Sequence, residues 1–77
     1  MTKDNPGAPK IVAVTENPIE LCQFLKFGGL AGSGGQAKQA IGEGHVLLNG
    51  AVETRKRKKL ALGDSVTFEG RTIVVGR

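Results

Sequence analysis

The residues with the most chemistry to offer in this chain are cations. Arg55-Lys56-Arg57-Lys58-Lys59 is an unbroken run of five positive side chains, and Lys38 and Lys26 stand upstream on segments with helical spacing. Like charges in such a run repel one another unless water or anions surround them. Arginine presents a planar fork of N–H donors that matches phosphate oxygens, and lysine presents a compact point charge. The pattern points to a polyanion held through its phosphates, with salt-dependent affinity and no direct reading of bases. The run lies between two strand signals, so a fold can position it, whereas an ordinary solvated run needs no such support. We take Arg55, Lys56, Arg57, Lys58 and Lys59 as the main contacts, with Lys38 and Lys26 in support.

Catalytic groups are sparse. His45 is the only histidine, which excludes a multi-histidine metal site. Glu43, Glu53, Asp64 and Glu69 fall in separate turns or strands, without the spacing of metal ligands. Gly32-Ser33-Gly34-Gly35 lacks the lysine-serine/threonine ending of a phosphate-binding P-loop, and Ser33 has no base beside it. No enzyme activity, cofactor, metal or small-molecule substrate is expected. Phe24, Phe27 and Phe68 are the only aromatics, so stacking on single-stranded bases has few candidates. That favours structured RNA or a duplex backbone, and duplex DNA stays open on charge alone.

The elements that must carry these residues fit one small domain. The chain has 77 residues and a net charge of +4, and a domain this short buries only about 60% of its unfolded surface. Residues 1–10, with Pro6, Gly7 and Pro9, read as a flexible tail, and residues 11–77 as the domain. The lone Cys22 forms no intrachain disulfide; it reads as a small buried hydrophobe in a reducing compartment. No stretch approaches the roughly 20 apolar residues of a membrane span, so a cytoplasmic protein without membrane contact is expected.

Ile11-Val12-Ala13-Val14 reads as an edge strand. Asn17, Pro18 and Glu20 signal the start of a first helix, whose inner face is Leu21, Phe24 and Leu25 and whose end is Gly28-Gly29. Ser33 and Gln36 form a capping box for a second helix with Ala37, Ala40 and Ile41 inward. Gly34 and Gly35 either bare the helix start for a phosphate or allow close packing. Val46 to Leu48, the turn Asn49-Gly50 and Ala51 to Thr54 read as a hairpin. Leu60-Ala61-Leu62, Val66-Thr67-Phe68 and Ile73-Val74-Val75 supply further strands. The fold class is α+β: two packed N-terminal helices against a small bent antiparallel sheet of four or five strands.

Leu21 to Leu25, Gly29-Leu30, Ser33-Gly34-Gly35-Gln36-Ala37-Lys38, Ile41, Gly44, Val46, Asn49-Gly50 and Gly63-Asp64-Ser65-Val66 together resemble the alpha-L RNA-binding motif. That motif was first associated with ribosomal small-subunit protein S-four, and it also occurs in pseudouridine synthases, tyrosyl-tRNA synthetases and a ribosome-associated heat-shock protein. The likeness runs from about Ile19 to Val75 and is strongest to short stand-alone bacterial members. It implies the fold just described, RNA bound across the helices and the following hairpin, and no catalysis. Glu20, Gln23 and Gly34 stand where many members carry a basic residue, so the charge here is shifted to residues 55–59.

The function expected is therefore a small RNA-binding protein that contacts structured RNA, ribosomal or transfer, with ribosomal particles as a further partner. The rival is a protein-interaction or ribosome-assembly module whose basic patch docks an acidic partner.

Overall fold

A computed structural model describes residues 10–15 and 18–76. Among these residues, seven strands and two helices follow one another as β1 Lys10–Ala13, β2 Ile19–Glu20, α1 Leu21–Phe27, α2 Gly34–Gly42, β3 Val46–Leu48, β4 Ala51–Val52, β5 Lys59–Leu60, β6 Ser65–Phe68 and β7 Arg71–Gly76. The two helices pack against a five-stranded sheet of order β1-β7-β6-β3-β4, while β2 and β5 form a separate two-stranded ribbon. The architecture expected from the sequence is the one found.

Alternation along the strands explains which face is covered. Val66 and Phe68 in β6, and Ile73 and Val75 in β7, are buried, whereas their neighbours are only partly covered or exposed, as a strand with one face on a core requires. The helices answer with Leu21, Phe24 and Leu25 from α1 and Ala37, Ala40 and Ile41 from α2. Among the described residues this core contains no buried polar or charged side chain. Cys22 lies in it as a free thiol, 5% exposed.

Two tight turns set the register of the sheet. Asn49 (φ 52°) and Gly50 (φ 86°) close β3 onto β4, and Glu69 (φ 53°) and Gly70 (φ 77°) close β6 onto β7. Positive φ at both central positions matches the twist of paired strands. Glycine at Gly28 has a different reason. A Cβ there would stand 2.5 Å from Ile73 Cδ1 and 3.2 Å from the Phe24 carbonyl oxygen, so its absence lets the end of α1 rest directly on the sheet.

Three local expectations are corrected. The first helix does not start at Asn17 and Pro18. Residues 19–20 run extended and pair with β5, Ile19 opposite Leu60 and Glu20 opposite Lys59, and the helix opens only at Leu21. Tertiary pairing outweighs the local start signal, and Asn17 itself lies outside the described residues, as do residues 1–9. Leu60 consequently belongs to the ribbon and not to the main sheet. The edge strand begins at Lys10, assigned above to the tail, and pairs with β7 in parallel, so the sheet is mixed.

The close approach of Gly28 to Ile73 is testable. Gly28→Ala overpacks a filled site and lowers unfolding free energy by about 1–3 kcal/mol. Ile73→Val removes the obstructing methyl, so the double variant is less destabilised than the sum of the two singles in chemical denaturation; strict additivity excludes this approach as the cause.

Candidate nucleic-acid interface

The basic run is a loop fastened by its backbone. The Leu21 N–H donates to the Lys58 carbonyl at 2.9 Å and the Cys22 N–H to the Lys56 carbonyl at 3.1 Å. A helix leaves its first amides without partners inside the helix, and here the basic loop supplies them. A turn within the loop is closed by the Lys58 N–H donating to the Arg55 carbonyl at 3.3 Å. With its carbonyls drawn onto α1, the loop leaves Arg55, Lys56, Arg57 and Lys59 exposed and Lys58 half-buried.

The two arginines are held by carboxylates. Arg55 forks onto Glu53, with Nε donating to Oε2 at 2.8 Å and Nη2 to Oε1 at 3.1 Å, and its backbone N–H donates to Oε2 at 3.1 Å. Those side-chain bonds first, and the backbone bond second, hold the Glu53 carboxyl down from its ordinary value of 4.5 to about 2. The same partner pushes the Arg55 guanidinium up. Arg57 Nε donates to Glu20 Oε2 at 3.4 Å, a long and exposed pair of small energetic weight. Among the described residues no carboxylate lies within 4.0 Å of Lys56, Lys58, Lys59, Lys38 or Lys26.

Lys56 and Lys38 approach a common helix face. The Lys56 side chain lies over Gly42, where a Cβ would stand 3.3 Å from Cε and 3.6 Å from Nζ. Lys38 is exposed on α2 and precedes Gly42 by four residues, hence one turn away on the same face. A cation over the last turn of α2 also suits the negative end of the helix dipole. Lys26 stands apart, in the last turn of α1, where it lines a notch with Gln23 and Phe27.

The framing residues do more than the sequence indicates. Ser33 Oγ accepts from the Gln36 N–H at 3.1 Å as expected, but Gln36 Oε1 accepts from the Gly32 N–H at 2.7 Å, one residue before the helix cap. Besides forming the turn with Gly50, Asn49 donates through Nδ2 to Asp64 Oδ1 at 3.1 Å, and its Oδ1 accepts from the Ser65 N–H at 3.0 Å. The hairpin tip is thereby tied to the turn before β6. His45 is exposed, with Nδ1 4.0 Å from Glu43 Oε1, and no group of three or more metal-ligating side chains occurs among the described residues. Sequence reasoning missed Glu53 and Glu20 as the carboxylates that position the arginines. The signal for Glu53 was its place two residues before Arg55; Glu20 has no local signal.

Comparison with known proteins adds four findings. The family model described as the S4 domain matches residues 12–76. YbcJ of Escherichia coli (strain K12) is 53% identical over 57 residues, 74% of this chain and 81% of that protein. Its solution structure, described as revealing an alphaL motif involved in RNA binding, superposes with a TM-score of 0.70 at 41% identity, covering all (100%) of this chain and 95% of that one. The "Probable ribosome maturation protein RlbA" of Bacillus subtilis (strain 168) is 39% identical over 59 residues, 77% of this chain and 83% of that protein.

The Glu53–Arg55 pair predicts an acid-side titration. Because the Glu53 value is depressed in the folded state, its contribution to stability is present above pH 4.5 and is lost as pH falls from 4.5 through about 2. Carboxyl-detected NMR is expected to place the Glu53 midpoint near 2, and Arg55→Ala to return it toward 4.5. An unchanged midpoint in the variant removes Arg55 as the cause.

Proposed function

The chain belongs to the S4-domain family, a small RNA-binding module and not a catalytic domain, and from that premise we propose that it binds structured RNA through phosphates on the basic loop. The observation that carries the reading is the fastening of residues 56 and 58 to the start of α1 by their carbonyls. This turns a run of cations into a fixed surface. Lys56, Lys58 and Lys59, with Lys38 one helical turn from Gly42, supply charge with no carboxylate of the described residues within 4.0 Å. Arg57, at the far end of a 3.4 Å pair, can exchange its carboxylate for a phosphate at little cost. Arg55, forked onto Glu53, mainly shapes the loop.

Ribosomal RNA is the favoured ligand, since a relative of this length carries the name of a ribosome maturation protein; transfer RNA has the same phosphate chemistry. The setting proposed is cytoplasmic, in keeping with one buried free cysteine. No described helix is long and apolar enough to cross a membrane.

Ribosomal RNA hairpins titrated at several salt concentrations test the reading. Each of Lys56→Ala, Lys58→Ala and Lys59→Ala is expected to weaken binding evenly across RNA sequences and to flatten the salt slope by about one unit for each phosphate no longer neutralised. Affinity indifferent to salt, or unchanged in the triple variant, overturns it. So do protein partners that persist on the chain after nuclease treatment while no RNA is bound.

A further inference from the structure

We infer that the notch beside Phe27 seats one unstacked nucleobase of the bound RNA, with Lys26 on its phosphate. The inference rests on the RNA-binding reading above. The notch has a volume of about 300 Å³ and is lined by Val14, Thr15, Ile19, Gln23, Lys26 and Phe27, within the lower range of small-ligand pockets. Gln23, Lys26 and Phe27 are spaced three and four apart and so share one face of α1.

Phe27 is the unexplained residue. Phe24 and Phe68 are buried at 0% and 6% exposure, whereas Phe27 is 56% exposed. Its ring takes no part in the core, yet it forms a wall of the notch. An exposed ring beside a cation is the combination that holds unpaired nucleotides, because every base has a π-face and every nucleotide a phosphate. The polar walls suit a base edge. Gln23 Oε1 already accepts from the Glu20 N–H at 3.3 Å, which leaves its Nε2 hydrogens to donate. The Thr15 hydroxyl can donate or accept.

Position supports the same occupant. Arg57 touches Glu20, the Glu20 N–H donates to Gln23, and Gln23 lines the notch. Glu20 therefore links the notch to Arg57 of the basic loop, and an RNA whose phosphates cross that loop can turn a bulged nucleotide into it. Structured RNA offers such extruded bases where a continuous duplex does not.

The test uses the full chain and two RNA hairpins identical but for one unpaired adenosine bulge. The bulged hairpin is expected to bind at least about fivefold more tightly. Phe27→Ala is expected to erase that preference while leaving the fully paired hairpin unchanged, and Phe27→Trp to keep it. Phe27→Leu, which retains apolar bulk without a ring, is expected to lose most of it. Equal affinity of wild type for both hairpins, or a preference that survives Phe27→Ala, overturns the inference. Failure of both hairpins to bind removes the RNA-binding reading itself, whereas binding without a bulge preference removes the notch alone.

Discussion

Two backbone hydrogen bonds, from the amides of Leu21 and Cys22 to the carbonyls of Lys58 and Lys56, fasten the basic loop to the start of the first helix. They satisfy the first amides of α1 beside its Glu20–Gln23 capping box, close the β2–β5 ribbon onto the helix, and hold the basic loop against the body of the protein. The electrostatics of that arrangement are under tension. The N-terminus of a helix is its positive end, and here it is surrounded by lysines and arginines. Glu20, at the helix cap, and Glu53, at the entry to the loop, offset part of this repulsion. A bound phosphate, on the reading proposed above, relieves the remainder.

The core beneath is thin but well filled. Alanines at 37 and 40 and the missing side chain at Gly28 let the two helices and the sheet approach closely. Close approach gives a small domain dense packing without large side chains. No polar or charged side chain of the described residues is buried, so the side-chain hydrogen bonds that shape the molecule lie at or near its surface. The loop and the hairpin tip are stiffened there separately, the first by Glu53 and the second by Asn49 with Asp64 and Ser65.

Local signals in the sequence are reliable wherever the physics is local. Ser33 caps α2, Asn49-Gly50 turns the hairpin, and Ala37, Ala40 and Ile41 face inward, because each depends only on neighbours a few residues away. The ordered set of such signals is enough to place the fold. What escapes is decided at a distance. Asn17 and Pro18 signal a helix start, but Ile19 and Glu20 pair with Leu60 and Lys59 and delay it. The Glu20–Arg57 pair has the same non-local origin. One local detail also escapes: the Gln36 side chain reaches Gly32 and not Ser33, a shift of one residue that spacing rules do not resolve.

The division of labour within residues 55–59 follows from these interactions. A flexible basic run must lose backbone and side-chain freedom when it settles on RNA, and that ordering subtracts from affinity. Here the backbone is already ordered by α1 and the Arg55 side chain by Glu53, so much of the loss has been met on folding. Arginine, with its fixed fork, suits the carboxylate that shapes the loop. Lysine, a mobile point charge, suits phosphates whose positions vary with the RNA. On the reading proposed above, a surface built this way follows the spacing of a phosphate backbone more readily than its sequence, and any preference among RNAs then comes from shape or from bases outside the helix stack.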